Sequence, residues 1–344
     1  MKVGIVTTYD EINFGAYLQA YSLQKHIQSL GCDVELINYK SMAYKKAELL
    51  ATYKVKDPFY LYKIIKKGLK FHKAKNNYMK VSSRFKTIAD INKRGYDVLV
   101  FGSDEIWNLN NCLGGVIDTY YFGLGLNSRK ISYAASFGST SEVMSDQDAI
   151  KESLLSFENV SVRDKNSEEV MKAIGAADTA IVLDPTFLVD QDFSEPEIDG
   201  KYIFYYCVNS NVKLDNEALA LSDSLGIPII AFGYKNSLFK SCISIDPFEW
   251  LGYLKNAEYV VTDMYHGTIF SIKYQKKFIV ELTDYRENKL GFLLDIFDLR
   301  SRVYKENHLD ETIIEDISYE NVHKTISEMK YESETYIKKA LKCF

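Results

Sequence analysis

The chain has 344 residues, 47% hydrophobic and 26% charged, with only five prolines, which excludes a disordered or fibrous polymer and leaves room for about two domains. No stretch approaches the roughly 20 consecutive apolar residues that cross a bilayer. The net charge of −5 conceals an uneven distribution, because residues 40–94 hold 16 Lys/Arg against Glu48, Asp57 and Asp90, a local +13 that leaves −18 elsewhere. One part of the molecule is therefore suited to an anionic surface or ligand.

In chain order, short β-rich runs alternate with longer helical patterns. Lys2–Thr7, Asp33–Asn38, Asp97–Phe101, Lys130–Ala135, Val160–Val162 and Ala180–Leu183 read as strands. Between them, Gly15–Leu30 carries Leu18, Leu23 and Ile27 at helical spacing and stops at Gly31. Leu154 and Leu155 sit in a second helix, and Lys165–Ile174 forms a third, closed by Gly175. Asp190–Gly200 is acidic and aperiodic, the best linker candidate. The alternation then restarts, with strands at Tyr202–Val208, Ile227–Phe232, Glu258–Thr262 and Phe278–Glu281. Helices are predicted at Asn216–Leu225, Pro247–Asn256, Gly267–Gln275 and Lys289–Phe297, followed by an amphipathic helical tail at Tyr319–Leu341. Such alternation implies parallel sheets with crossover helices, in an α/β fold of two Rossmann-like domains facing a cleft. Residues 1–189 form the first domain, with a basic helical insertion at about 41–94; residues 200–310 form the second, and 311–344 the tail.

Met1-Lys2 runs straight into the core-strand pattern VGIVTT, in place of a leader. Cys32, Cys112, Cys207, Cys242 and Cys343 are odd in number and lack C-x-x-C spacing. That usage fits a reduced cytoplasmic protein with partly buried thiols. No zinc-ligand cluster is apparent, so no metal is expected.

Four strand ends carry candidate chemistry, since ligands of parallel sheets collect at the strands' carboxyl ends. At the first, Asn13-Phe14-Gly15 opens a helix whose N–H groups suit an anion or a sugar hydroxyl; the alternative is Asn13 as an ordinary cap. At the third, Asp104, Trp107 and Asn108 offer a carboxylate, an aromatic face and an amide to a sugar, unless the segment is a capped turn with Trp107 in the core. Arg163 ends another strand and suits bidentate recognition of carboxylate or phosphate, the alternative being an ion pair to Asp164 or Glu168. Finally, VVTDMYHGT places His266 where a strand hands over to a helix beginning at Gly267-Thr268. A phosphate or carboxylate at that helix start would lie beside a group suited to general acid–base work.

Together, GIVTTYDEINFGAYLQAYSLQKHI, DVLVFGSDEIWN, KISYAASFGS, VSVRDKN, IVLDPTFL and DPFEWLGYLKNAEYVVTDMYHGTIFSIKYQKKFIV resemble the polysaccharide pyruvyl transferase family, from the first strand to about Arg302. The resemblance implies a GT-B-like architecture, and transfer of a pyruvyl group from phosphoenolpyruvate to a sugar hydroxyl pair as a ketal. It matches His266 to the family's catalytic histidine and Arg163 to an arginine near the donor. Gly267 and Thr268 fall beside the histidine, and Asn13, Gly15, Asp104, Trp107 and Asn108 fall on the acceptor side. Phosphoenolpyruvate is the implied co-substrate, with no cofactor, and the acceptor is a sugar or lipid-linked oligosaccharide of a bacterial cell-surface glycan. The sequence departs from the family's pattern at Met264-Tyr265, where members commonly carry Ser-Phe, or an arginine two residues ahead of the histidine. Met264 cannot donate a strong hydrogen bond.

Lys54–Lys75 interleaves lysines with aromatic and aliphatic residues. This is the pattern of a helix on an anionic membrane, giving peripheral contact at the inner membrane face, or else of a solvated lid whose apolar face packs on the first domain. No nucleic-acid-binding module accompanies these lysines. Two other functional classes stay open, a sugar-nucleotide glycosyltransferase of the same architecture and a degenerate member that only binds glycan.

Overall fold

The structure, a computed structural model, describes residues 1–110, 116–144, 147–196, 198, 200–208 and 211–343. Cys112 lies outside the described residues; Cys32, Cys207, Cys242 and Cys343 are unpaired thiols. In chain order the first half runs β1 (Lys2–Val6), α1 (Phe14–Ser29), β2 (Asp33–Leu36), α2 (Met42–Tyr53), α3 (Pro58–Tyr78), α4 (Ile88–Lys93), β3 (Val98–Phe101), β4 (Arg129–Ser132), α5 (Asp148–Leu155), β5 (Val160–Val162), α6 (Lys165–Ala173) and β6 (Thr179–Ile181). The second half runs β7 (Ile203–Tyr206), α7 (Val212–Leu225), β8 (Ile229–Phe232), β9 (Lys240–Cys242), α8 (Pro247–Asn256), β10 (Tyr259–Thr262), α9 (Tyr265–Lys273), β11 (Lys277–Val280), α10 (Asp284–Arg286), α11 (Phe292–Ile296), α12 (Leu309–Ile314) and α13 (Tyr319–Leu341).

The chain divides into two compact α/β units. The first comprises Met1–Lys56, Ala74–Asp190 and Ser327–Phe344, and the second Asp57–Lys73 and Gln191–Ile326. This partition differs from the sequence reading at two places. The basic segment does not all attach to the first unit, because Lys67 and Lys70 on α3 bond to Gly233 and Glu249 of the second. Nor is the tail separate, because the hydroxyl of Ser333 on α13 accepts from the Leu183 amide and the Tyr336 hydroxyl donates to the Ser132 carbonyl.

In the first unit all strands are parallel, in the order β2-β1-β3-β4, with β5-β6 joined to β4 through isolated bridges such as Ile131 to Asn159. Fully buried strands explain the unbroken apolar runs of the sequence, since both faces are covered by helices. Leu99, Phe101, Trp107, Phe137, Phe157 and Met171 share its core. In the second unit five parallel strands lie in the order β11-β10-β7-β8-β9. Its core draws on Ile203, Tyr205, Leu214, Ala231, Val261 and Ile279.

Both sheets reverse direction once. In the first, the chain steps from β1 to β2 on one side and returns to β3 on the other; in the second, it runs out through β8 and β9, then returns to β10 beside β7. Side-by-side strands whose connections diverge leave a crevice at their carboxyl ends. These two switch points locate the candidate sites.

Candidate functional site

At the first unit's switch point, the loops leaving β1 and β3 are tied together. Thr7 donates its hydroxyl to the Ser103 carbonyl (2.9 Å), and Thr8 donates to an Asp104 carboxylate oxygen (3.1 Å). Gly102 makes this possible, because it has φ +110° and a Cβ there would lie 2.4 Å from the Tyr133 carbonyl oxygen. Asp104 itself has φ +77°, an uncommon conformation for a residue with a side chain.

Arg163 occupies a different place from the one its motif suggests. Its guanidinium is buried, with one nitrogen 3.1 Å from Asp104 and another 3.1 Å from Asp184. Two carboxylates flank its single charge. It holds Asp104 and Asp184 together. The sequence alternative named other partners, yet Asp164 caps α6 through the Ser167 amide and Glu168 pairs with Lys165 and Lys172.

Trp107 lies in the core of the first unit. Its ring is fully buried against Phe137 and Phe157, and its indole N–H donates to the Tyr121 carbonyl, so no face is open to a sugar. Asn108 is buried, donating to Glu105 (2.7 Å) and accepting from the Thr140 hydroxyl (3.1 Å), which turns its amide to holding the loop. Asn13 caps α1, accepting from the Gly15 and Ala16 amides at 2.9 and 3.2 Å. The Gly15 amide expected to meet a ligand is thus occupied by Asn13.

The acidic character of this loop pair comes from residues the sequence reading passed over. Lys40 pairs with Asp10 (2.6 Å) and Glu48 (2.7 Å). Burial pushes the Glu11 carboxyl up to about 8; Lys40 pulls it down, while Asp104, Glu48 and Asp10 push it further up. Glu11 therefore keeps its proton to a higher pH than an ordinary carboxyl. The adjacent acids in TTYDEIN were the available signal.

At the second unit's switch point, β7 ends at Tyr206 and β10 at Thr262. Asp263 follows, fully buried, accepting from the Val208 amide and pairing with Arg286 at 2.8 Å. Met264 is the N-cap of α9 and provides no side-chain cap. The helix begins two residues earlier than its motif suggests, so His266 is its second residue and belongs to the first turn, whose N–H groups lack intrahelical partners. The His266 ring stands edge-on to Tyr265 at 5.4 Å between centroids and is 8% exposed.

Gly267 has a packing role. A Cβ there would lie 2.3 Å from the Thr262 hydroxyl, so only glycine lets α9 approach β10 this closely. Thr268 is fully buried, and its hydroxyl donates back to the Met264 carbonyl at 3.2 Å. What the sequence missed is Arg286. It arrives from α10, far along the chain, with one guanidinium nitrogen on Asp263 and another 3.6 Å from the Met264 sulfur. A cation thus lies beside residue 264, where this chain lacks an arginine. Nearby, Tyr206 stacks on Tyr234, and Lys67 lies 5.1 Å from the Tyr234 ring centroid. Burial pushes the Lys67 ammonium down to about 7.

Parallel α/β sheets carrying polar groups at the switch points of both units define a protein of the Rossmann-like α/β class. Residues 13–285 match the family model for polysaccharide pyruvyl transferase; the chain belongs to that family, whose members are transferases of polysaccharide biosynthesis. No curated protein matches the chain. Among solved structures, S. aureus MnaA with UDP is similar at 11% identity and TM-score 0.49, over 97% of this chain and 90% of that one. The UDP-GlcNAc 2-epimerase of Methanocaldococcus jannaschii in complex with UDP-GlcNAc and UDP is similar at 12% and 0.47, over 99% of each chain. Streptomyces sp. SF2575 glycosyltransferase SsfS6 with thymidine diphosphate is similar at 11% and 0.44, over 98% of each. Likenesses this distant carry no argument about activity.

Proposed function

We propose that the chain transfers a pyruvyl group from phosphoenolpyruvate to a pair of hydroxyls on a sugar of a glycan precursor. A proton adds to the donor's methylene carbon, which becomes a methyl group, and C2 becomes electrophilic. One hydroxyl oxygen bonds to C2, the C2–phosphate bond breaks, and the second hydroxyl closes the ketal. Of the two hydroxyl protons lost, one balances the new methyl group and the other leaves with phosphate.

His266 is assigned the proton transfer, as the imidazole in the first turn of α9. Arg286, which lies beside residue 264 and also pairs with Asp263, is assigned the donor's anionic groups. Glu11 and Asp104 are assigned to the acceptor's hydroxyls. The observation that carries this reading is the family match over residues 13–285 with His266 at a switch point.

Mass spectrometry of lipid-linked and free sugars after incubation with phosphoenolpyruvate tests it. A gain equal to pyruvate minus water, with phosphate released, is expected. Tight binding of a uridine or guanosine diphosphate without consumption of phosphoenolpyruvate would replace it with glycosyl transfer.

A further inference from the structure

Helix α3 buries one face and leaves a second, apolar stripe in water. Lys67, Phe71 and Ala74 are buried, whereas Phe59 is 67% exposed, Tyr62 60%, Ile65 45% and Leu69 66%. Steps of three, three and four residues align those four on one stripe of the helix. Phe71 and Ala74 pack inward as a lid requires, while this second apolar stripe faces water. Large apolar side chains aligned in water mark an interaction surface.

Charge identifies the occupant. Lys54–Lys75 holds eight lysines against Asp57 alone. Lys66 and Lys73 are exposed, and the Lys63 ammonium lies over the Phe59 ring at 4.7 Å. A second copy of the chain meeting this face symmetrically would oppose lysine to lysine. An anionic bilayer satisfies both components, with phosphates for the lysines and an acyl boundary for the stripe. Among the described residues no helix is long and apolar enough to cross a membrane, so the contact is peripheral.

We propose that α3 seats the protein on an anionic lipid surface, with Phe59, Tyr62, Ile65 and Leu69 entering the headgroup–acyl boundary and Lys66 and Lys73 on headgroup phosphates. This stands independently of the reaction assigned above. The test is flotation of the full chain with vesicles of phosphatidylcholine alone, or containing about one third phosphatidylglycerol, at about 0.05 M and about 0.5 M salt. Binding to the anionic vesicles at low salt, weakened at high salt, is expected. F59S/L69S and K66E/K73E should each lower that binding by about tenfold or more while keeping the wild-type circular dichroism. These positions are exposed, and should one variant misfold, the other decides the same question. Absence of wild-type binding to anionic vesicles, or binding unchanged in the folded variant, overturns the proposal. So does a wild-type dimer that F59S/L69S dissociates in analytical ultracentrifugation.

Discussion

His266 and Arg286 sit at one strand end but are asked to do different work, and substitution separates them. His266→Gln removes the proposed proton carrier and should lower turnover by about 10²–10⁴-fold, with the thermal midpoint unchanged. Arg286→Met should raise the KM for phosphoenolpyruvate and also destabilise the chain by roughly 3 kcal/mol, because the buried Asp263 loses its partner. Adding Asp263→Asn should recover stability but not donor affinity, which distinguishes a binding role from a structural one. Glu11 makes a prediction about pH. Its carboxyl is raised from an ordinary 4.5 to about 8, first by burial, so between those values the folded chain holds a proton that the unfolded chain has released. Stability should therefore fall as pH rises from about 4.5 to about 8. Thermal midpoints measured across that window should flatten in Glu11→Gln; an equal slope in both proteins would remove Glu11 from the acidic loop's chemistry.

At the scale of elements, the approach of α9 to β10 sets where the imidazole stands. Gly267→Ala puts a methyl group against the Thr262 hydroxyl and should cost roughly 1–3 kcal/mol, with turnover falling beyond what lost folded protein explains. Paired thermal and kinetic measurements check this. The same junction shows what was legible in the sequence. Strands buried on both faces print as apolar runs, so ten strands were readable, whereas the short edge strand β9, Lys-Ser-Cys, carries no such pattern. The start of α9 was misplaced by two residues because Met264 gives no capping signal. Trp107 and Asn108 sat at a plausible strand end, but composition cannot say which way a side chain turns. Arg163 was seen and Arg286 was not, for one reason: which carboxylate an arginine meets is decided by tertiary packing. Asp104, Asp184 and Asp263 are far from their partners along the chain.

At the scale of the molecule, a net charge of −5 hides a chain sorted by sign. The β1 and β3 loops gather acids, while α3 gathers lysines around exposed apolar side chains. Family membership fixes the broad activity; the assignment of His266 as the proton carrier is the claim on which the chemistry turns. It is tested most directly by running the reaction with phosphoenolpyruvate and acceptor in deuterium oxide and reading the product's methyl group by NMR. The account predicts a ketal methyl carrying one deuteron in the wild type and no appreciable product from His266→Gln. A deuterated ketal formed by His266→Gln at near the wild-type rate, or a pyruvyl product without a new methyl group, would contradict it.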